Sequence, residues 1–118
     1  MRRAALLLTA IAAVSTLGAV PAQAAPARLQ VVEKEYFLTL SRLHVPSGKL
    51  ILQVVNFGMD NHDLVVQSKA GKTWKFAVLA PEAHATKTIT LTPGKYTLSC
   101  SLPGHRGLGM VATLTVTG

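Results

Sequence analysis

The chain has 118 residues, enough for one compact domain and too few for two with separate cores. Apolar residues make up 49% and charged ones 14%, which excludes a disordered chain and a charge-driven tail. The formal charge is +7, but the basic residues from Arg28 to Arg106 stand singly, without a basic run or interleaved aromatics, so no nucleic-acid surface is expected.

The chain opens as an export signal. Arg2 and Arg3 form a basic start, Ala4 to Val14 an apolar run, and Ala22-Gln23-Ala24 a small-residue cleavage site, so residues 1–24 are expected to be a cleavable secretory signal peptide. The alternative is retention as an anchor, which Thr9, Ser15, Thr16, Gly18 and Pro21 oppose by interrupting the apolar stretch. Cleavage would leave residues 25–118 as a single domain of charge +5, suited to an acidic protein partner. An exported protein lives where thiols oxidise, yet Cys100 is alone. Burial, an intermolecular disulfide or ligation to a metal would each protect it.

After the linker Ala25 to Arg28, short runs rich in Val, Ile, Leu and Thr follow one another: Leu29–Lys34, Tyr36–Leu43, Leu50–Asn56, Asp63–Gln67, Thr73–Leu79, Thr86–Leu91, Lys95–Cys100 and Val111–Thr117. Turn signals at Pro46-Ser47-Gly48, Ala70-Gly71, Pro81 and Pro93-Gly94 separate several of them. Tyr96, Leu98 and Cys100 alternate with Lys95, Thr97 and Ser99, and Ile89 and Leu91 with Thr88, Thr90 and Thr92. A helical turn within Thr73–Ala83 is the one competing local reading. Eight short strands in some 90 residues predict an all-β fold, a two-sheet antiparallel Greek-key β-sandwich.

The chemistry concentrates in Cys100-Ser-Leu-Pro-Gly-His105-Arg-Gly-Leu-Gly-Met110. Four residues separate Cys100 from His105 and four separate His105 from Met110, in a Gly/Pro-rich loop that can fold all three toward one centre. A fourth donor, His62, sits in the loop leaving the strand that ends at Asn56. Two His, one Cys and a weak axial Met are the donors of a type 1 copper site. Cu(I) favours soft sulfur and Cu(II) favours nitrogen, and a His2Cys plane with a distant thioether suits both. Zinc would want a fourth strong ligand, which methionine is not.

Through Asn56-x-Gly58-x-x-x-His62, Gly94-x-Tyr96-x-x-x-Cys100 and the ligand loop, the mature chain resembles the cupredoxins, or blue copper proteins. The loop spacing is similar to those of sulfocyanins, rusticyanins and plant phytocyanins and longer than that of plastocyanins. With one cysteine the chain lacks the phytocyanin disulfide, which makes a small bacterial or archaeal cupredoxin the closer comparison. The resemblance implies His62, Cys100 and His105 as equatorial ligands, both imidazoles through Nδ1, and Met110 as the axial ligand. It places Asp63, Ser101 and Asn56 around them, Asp63 standing where the family often has Asn. The Asp63 carboxylate is expected to accept from the Ser101 hydroxyl or amide. Met59, Leu102, Pro103 and Leu108 would ring His105 as the docking surface for a redox partner, with Arg106 favouring an acidic partner face.

Singly, each residue has a plainer role: Cys100 and Met110 as core, His62 and His105 as solvated loop residues. Jointly, at this spacing and on a predicted sandwich, they point to copper. His44 and His84 fall outside the pattern and are expected at the surface, and Met59, the rival soft donor, is expected in the collar. The leading functional expectation is an exported, periplasmic or extracytoplasmic monomer that carries single electrons by Cu(I)/Cu(II) cycling, with no substrate turnover and no need of membrane association. The alternative is copper storage or delivery outside the cytoplasm, against which stands the lack of a Met-rich or His-rich tract. A thiol enzyme would expose a low-pKa cysteine to oxidation, and copper nitrite reduction needs a second copper site that one such domain does not supply.

Overall fold

The computed structural model describes residues 9–19 and 25–118. The basic start and the Ala22–Ala24 cleavage motif of the expected leader lie outside the described residues. Among those described, no helix is long and apolar enough to cross a membrane.

Nine strands follow in chain order: β1 (Ala27–Lys34), β2 (Phe37–Leu40), β3 (His44–Pro46), β4 (Gly48–Asn56), β5 (Val65–Ser68), β6 (Thr73–Lys75), β7 (His84–Leu91), β8 (Gly94–Ser99) and β9 (Val111–Thr117). A single helical turn, α1 (His105–Leu108), precedes β9. The fold is all-β, as the alternation implied, in two sheets ordered β2-β1-β4-β7 and β3-β9-β8-β5-β6. Five of the strand pairings are antiparallel, as expected of the sandwich, and two depart from it: β1 pairs with β4 in parallel, Val31 opposite Val54, and β3 pairs with β9 in parallel, Val45 opposite Val116. The predicted strand Tyr36–Leu43 is shorter than expected: only Phe37–Leu40 pairs with β1, after which the chain crosses over and the unpredicted β3, beyond Leu43, joins the other sheet. No helix forms within Thr73–Ala83.

The core lies between the sheets. Leu29 and Val31 of β1, Leu50, Leu52 and Val54 of β4, Ile89 and Leu91 of β7, Tyr96 and Leu98 of β8 and Leu114 and Val116 of β9 are buried every second residue. Burying a side chain of this kind is worth about 1.5–3 kcal/mol, and a one-residue slip would turn the whole set outward. Toward the end of β4 the alternation stops: Val54, Val55 and Asn56 are all buried. There the 79–83 segment lies over the strand, with the Asn56 amide donating to the Ala83 carbonyl and the Glu82 amide to the Asn56 carbonyl.

At the opposite end of the sandwich, where the chain passes from β7 in one sheet to β8 in the other, the Tyr96 hydroxyl, on a buried ring, donates to the Thr92 carbonyl at 2.8 Å. This clasp fixes the turn that feeds β8, and β8 delivers Cys100. The exits of β1, β4 and β8 and the entries of β5 and β9 gather at one end of the sandwich, and the chemistry is there.

Candidate metal centre

His62 sits between β4 and β5 and is held by its own backbone, exchanging two hydrogen bonds with Leu79 at 3.1 and 2.7 Å. Asn56, fully buried, shapes the loop before it. Its amide nitrogen donates to the carbonyls of Asp60 and Leu79 at 2.8 and 2.9 Å, and its amide oxygen accepts from Gly58 at 2.9 Å. Cys100 follows β8 immediately, and its amide donates to the Met110 carbonyl at 3.1 Å, closing the neck of the loop that carries His105. His105 opens α1, between Gly104 at φ +79° and the turn that ends at Gly109, φ +128°. Positive φ is cheap for glycine alone, so these two residues let a one-turn helix fit inside a nine-residue loop.

The side chains converge. Nδ1 of His62 lies 3.1 Å from Nδ1 of His105, and Sγ of Cys100 lies 3.6 Å from that same His105 nitrogen. All three donor atoms fall within 4.8 Å of one another. An ion about 2.0 Å from nitrogen and about 2.3 Å from thiolate sulfur draws its donors to such separations. His62 and Cys100 are fully buried, whereas His105 is half-exposed. Met110, also fully buried, stands at the base of the same loop. Burial pushes the Cys100 thiol up in the metal-free chain, so it is not a poised nucleophile.

The surroundings include one expected contact and several that the sequence reading missed. The Asp63 amide approaches Sγ of Cys100 at 3.5 Å, while its carboxylate accepts from the Ser101 amide at 2.6 Å and from the Ser101 hydroxyl. The turn between β1 and β2 was not foreseen here, yet it covers both ligand loops. Glu35 accepts from His62 Nε2 at 2.9 Å. The Tyr36 ring meets His105 edge-on with centroids 5.2 Å apart, and its hydroxyl donates to Asp60, which together with the nearby charges holds the phenol protonated above its ordinary range. No local signal marks a charged and an aromatic residue in a tight turn as site residues. Glu33 did carry one, since it continues the inward face of Leu29 and Val31. It is fully buried, neither of its carboxylate oxygens has a hydrogen-bond partner among the described residues, and burial with the nearby Asp63 charge raises its pKa to about 8.

Around His105 the chain leaves apolar surface in water. Met59 is 88% exposed, Leu108 and Pro103 are exposed, and Leu102 is half-buried. Arg106 is exposed beside them, and His44 on β3 and His84 at the start of β7 are surface residues outside the cluster.

Solved structures share this fold at low sequence identity. An auracyanin from Roseiflexus castenholzii matches 80% of this chain over 100% of its own, with 19% identity and a TM-score of 0.62. A reduced rusticyanin matches 80% of this chain over 82% of its own, with 18% identity and a TM-score of 0.58. A copper-containing nitrite reductase from Thermus scotoductus matches 77% of this chain but only 31% of its own length, with 15% identity and a TM-score of 0.57. No curated protein sequence matches. The sequence profile of the copper-binding proteins of the plastocyanin/azurin family matches residues 41–117, which take in β3 to β9 and every donor of the cluster. The chain belongs to this plastocyanin/azurin family, and its cofactor is a single type 1 copper.

Proposed function

We propose that the protein is an exported one-electron carrier in which His62, Cys100 and His105 hold the copper and Met110 serves as the weak fourth ligand. When bound, the copper supplies a Cu(I)/Cu(II) couple. The chain's own residues do the rest. Neither the doubly hydrogen-bonded backbone of His62 nor the closed neck at Cys100 leaves the ligands free to move, so little rearrangement opposes the transfer of an electron. Burial of His62 and Cys100 keeps water from the cluster, and half-exposed His105 is the route to a partner.

The observation that carries this reading is the convergence of one thiol and two imidazole nitrogens within 4.8 Å. The apolar collar of Met59, Leu102, Pro103 and Leu108 suits brief docking of a redox protein, and Arg106 suits an acidic face on it. Removal of residues 1–24 on export belongs to the same proposal. Mass spectrometry of the secreted protein tests it by locating the mature N-terminus.

The deciding experiment is visible absorption and electron paramagnetic resonance of the protein with Cu(II), beside Cys100→Ser. An intense thiolate-to-copper band with narrow hyperfine splitting, lost in the variant, is expected. An ordinary tetragonal Cu(II) spectrum would overturn the assignment. Fast electron self-exchange with slow copper loss then separates carriage from copper delivery, which requires the reverse.

A further inference from the structure

Glu35 reaches His62 from outside both ligand loops. It lies in the turn between β1 and β2, its side chain 25% exposed, and a single oxygen, Oε1, accepts from the amides of Met59 and Asp60 at 2.7 Å each and from His62 Nε2 at 2.9 Å. All three donors belong to the loop that ends in His62. That loop passes so close that a Cβ at Gly58 would run into the carboxylate, so residue 58 admits no larger side chain without moving Glu35.

The contact decides the chemistry of the ring. An ionised carboxylate only accepts hydrogen bonds, so Nε2 of His62 carries the ring proton and the lone pair of the neutral imidazole is on Nδ1. Nδ1 is the atom that faces His105 at 3.1 Å. Three N–H donors converging on one oxygen are a setting that suits the ionised carboxylate and offers a neutral acid nothing to donate to. A negative charge on the far side of an imidazole makes the near nitrogen the stronger donor, which benefits Cu(II) more than Cu(I).

We propose that Glu35 is a positioning residue for the copper, acting through His62 to fix the nitrogen that faces the cluster and to lower the reduction potential. This rests on the reading of His62 as a copper ligand. A purely structural tie would hold the loop through the Met59 and Asp60 amides and leave the potential where it is.

The test compares the full-length protein with Glu35→Gln and Glu35→Ala, reading the midpoint potential, the visible band and, in the copper-free protein, the ring nitrogen shifts of His62 by NMR. Glu35→Gln keeps an accepting oxygen at the same reach but removes the charge. It is expected to retain the tautomer while the ratio of Cu(II) to Cu(I) affinity falls about tenfold, a rise of about 59 mV for one electron. Glu35→Ala is expected to raise the potential at least as far and to let the proton appear on Nδ1. A Glu35→Gln potential equal to that of the wild type, with the band intact, overturns the proposal, as does an unchanged tautomer in a folded Glu35→Ala variant. Should the latter not fold, the potential of Glu35→Gln decides alone. If the wild-type protein gives no thiolate-to-copper band, the copper reading itself has failed, a result distinct from either of these.

Discussion

Asp63 grips Ser101 with both carboxylate oxygens, Oδ1 on the amide at 2.6 Å and Oδ2 on the hydroxyl, while its own amide points at Sγ of Cys100 from 3.5 Å. The residue after His62 therefore holds the residue after Cys100. Two loops from distant parts of the chain are locked together at the sulfur.

Asp63→Asn preserves most of this geometry, since the amide can still accept from the Ser101 backbone, but it deletes a negative charge beside the cluster. The reduction potential is expected to rise with the visible spectrum kept in type. Asp63→Ala loses the clasp as well and is expected to cost about 1.5–3 kcal/mol, the range of hydrogen bonds to a charged group. Voltammetry and urea unfolding read the two effects, and an unchanged potential and spectrum in Asp63→Asn would remove Asp63 from the tuning of the sulfur.

Gly109 is constrained twice, by φ of +128° and by the Tyr36 carbonyl, which a Cβ would strike. Gly71 has φ of +92° with open space around it. Gly71→Ala is expected to lose about 1–2 kcal/mol from backbone strain alone, and Gly109→Ala distinctly more. Equal losses in urea titrations would mean that the Tyr36 turn yields freely.

Glu33 gives the copper-free protein an unusual pH dependence. In the unfolded chain it ionises near 4.5, whereas in the fold burial, and secondarily Asp63, keep its proton on until about pH 8. Between these values the native state binds the extra proton, so stability falls as pH rises, by at most about 1.4 kcal/mol per pH unit, and levels off above about 8. Glu33→Gln is expected to flatten that slope in unfolding curves taken from about pH 5 to 9. A slope identical in both proteins would place the proton elsewhere.

Copper should also stabilise the fold, because the donors converge only in the native chain. At free copper one hundred times the dissociation constant the gain is about 2.7 kcal/mol. The loaded protein is expected to melt higher than the copper-free one, and Cys100→Ser to forfeit most of the difference. Coincident melting temperatures would contradict a preformed site.

What the sequence made legible was local. Cys100, His105 and Met110 lie within one short loop, and strand alternation marked Ile89, Leu91, Tyr96 and Leu98 as core without any knowledge of their partners. The parallel pairings of β1 with β4 and β3 with β9 were not legible, because short strands of either sense carry the same alternation. Glu35 was hidden for a related reason: it meets His62 across 27 residues, and its role arises only when β1 and β4 lie side by side with Glu33 opposite Asn56. Glu33 itself was readable from the inward face of β1. A carboxylate on that face is so costly that a polarity-based reading turns the strand end outward instead.

The bond from the Cys100 amide to the Met110 carbonyl, next to the paired Ser99 and Val111, gives the His105 loop a closed base. Its inner hydrogen bonds, Leu108 to Gly104, Gly109 to Arg106 and Met110 to His105, are likewise its own. Chain length between the two sulfur-bearing residues is thereby uncoupled from the register of β8 and β9. Insertions or deletions there would change reach, rim and electronic character while the sandwich beneath stays in place, making this arc the replaceable part of an otherwise fixed frame.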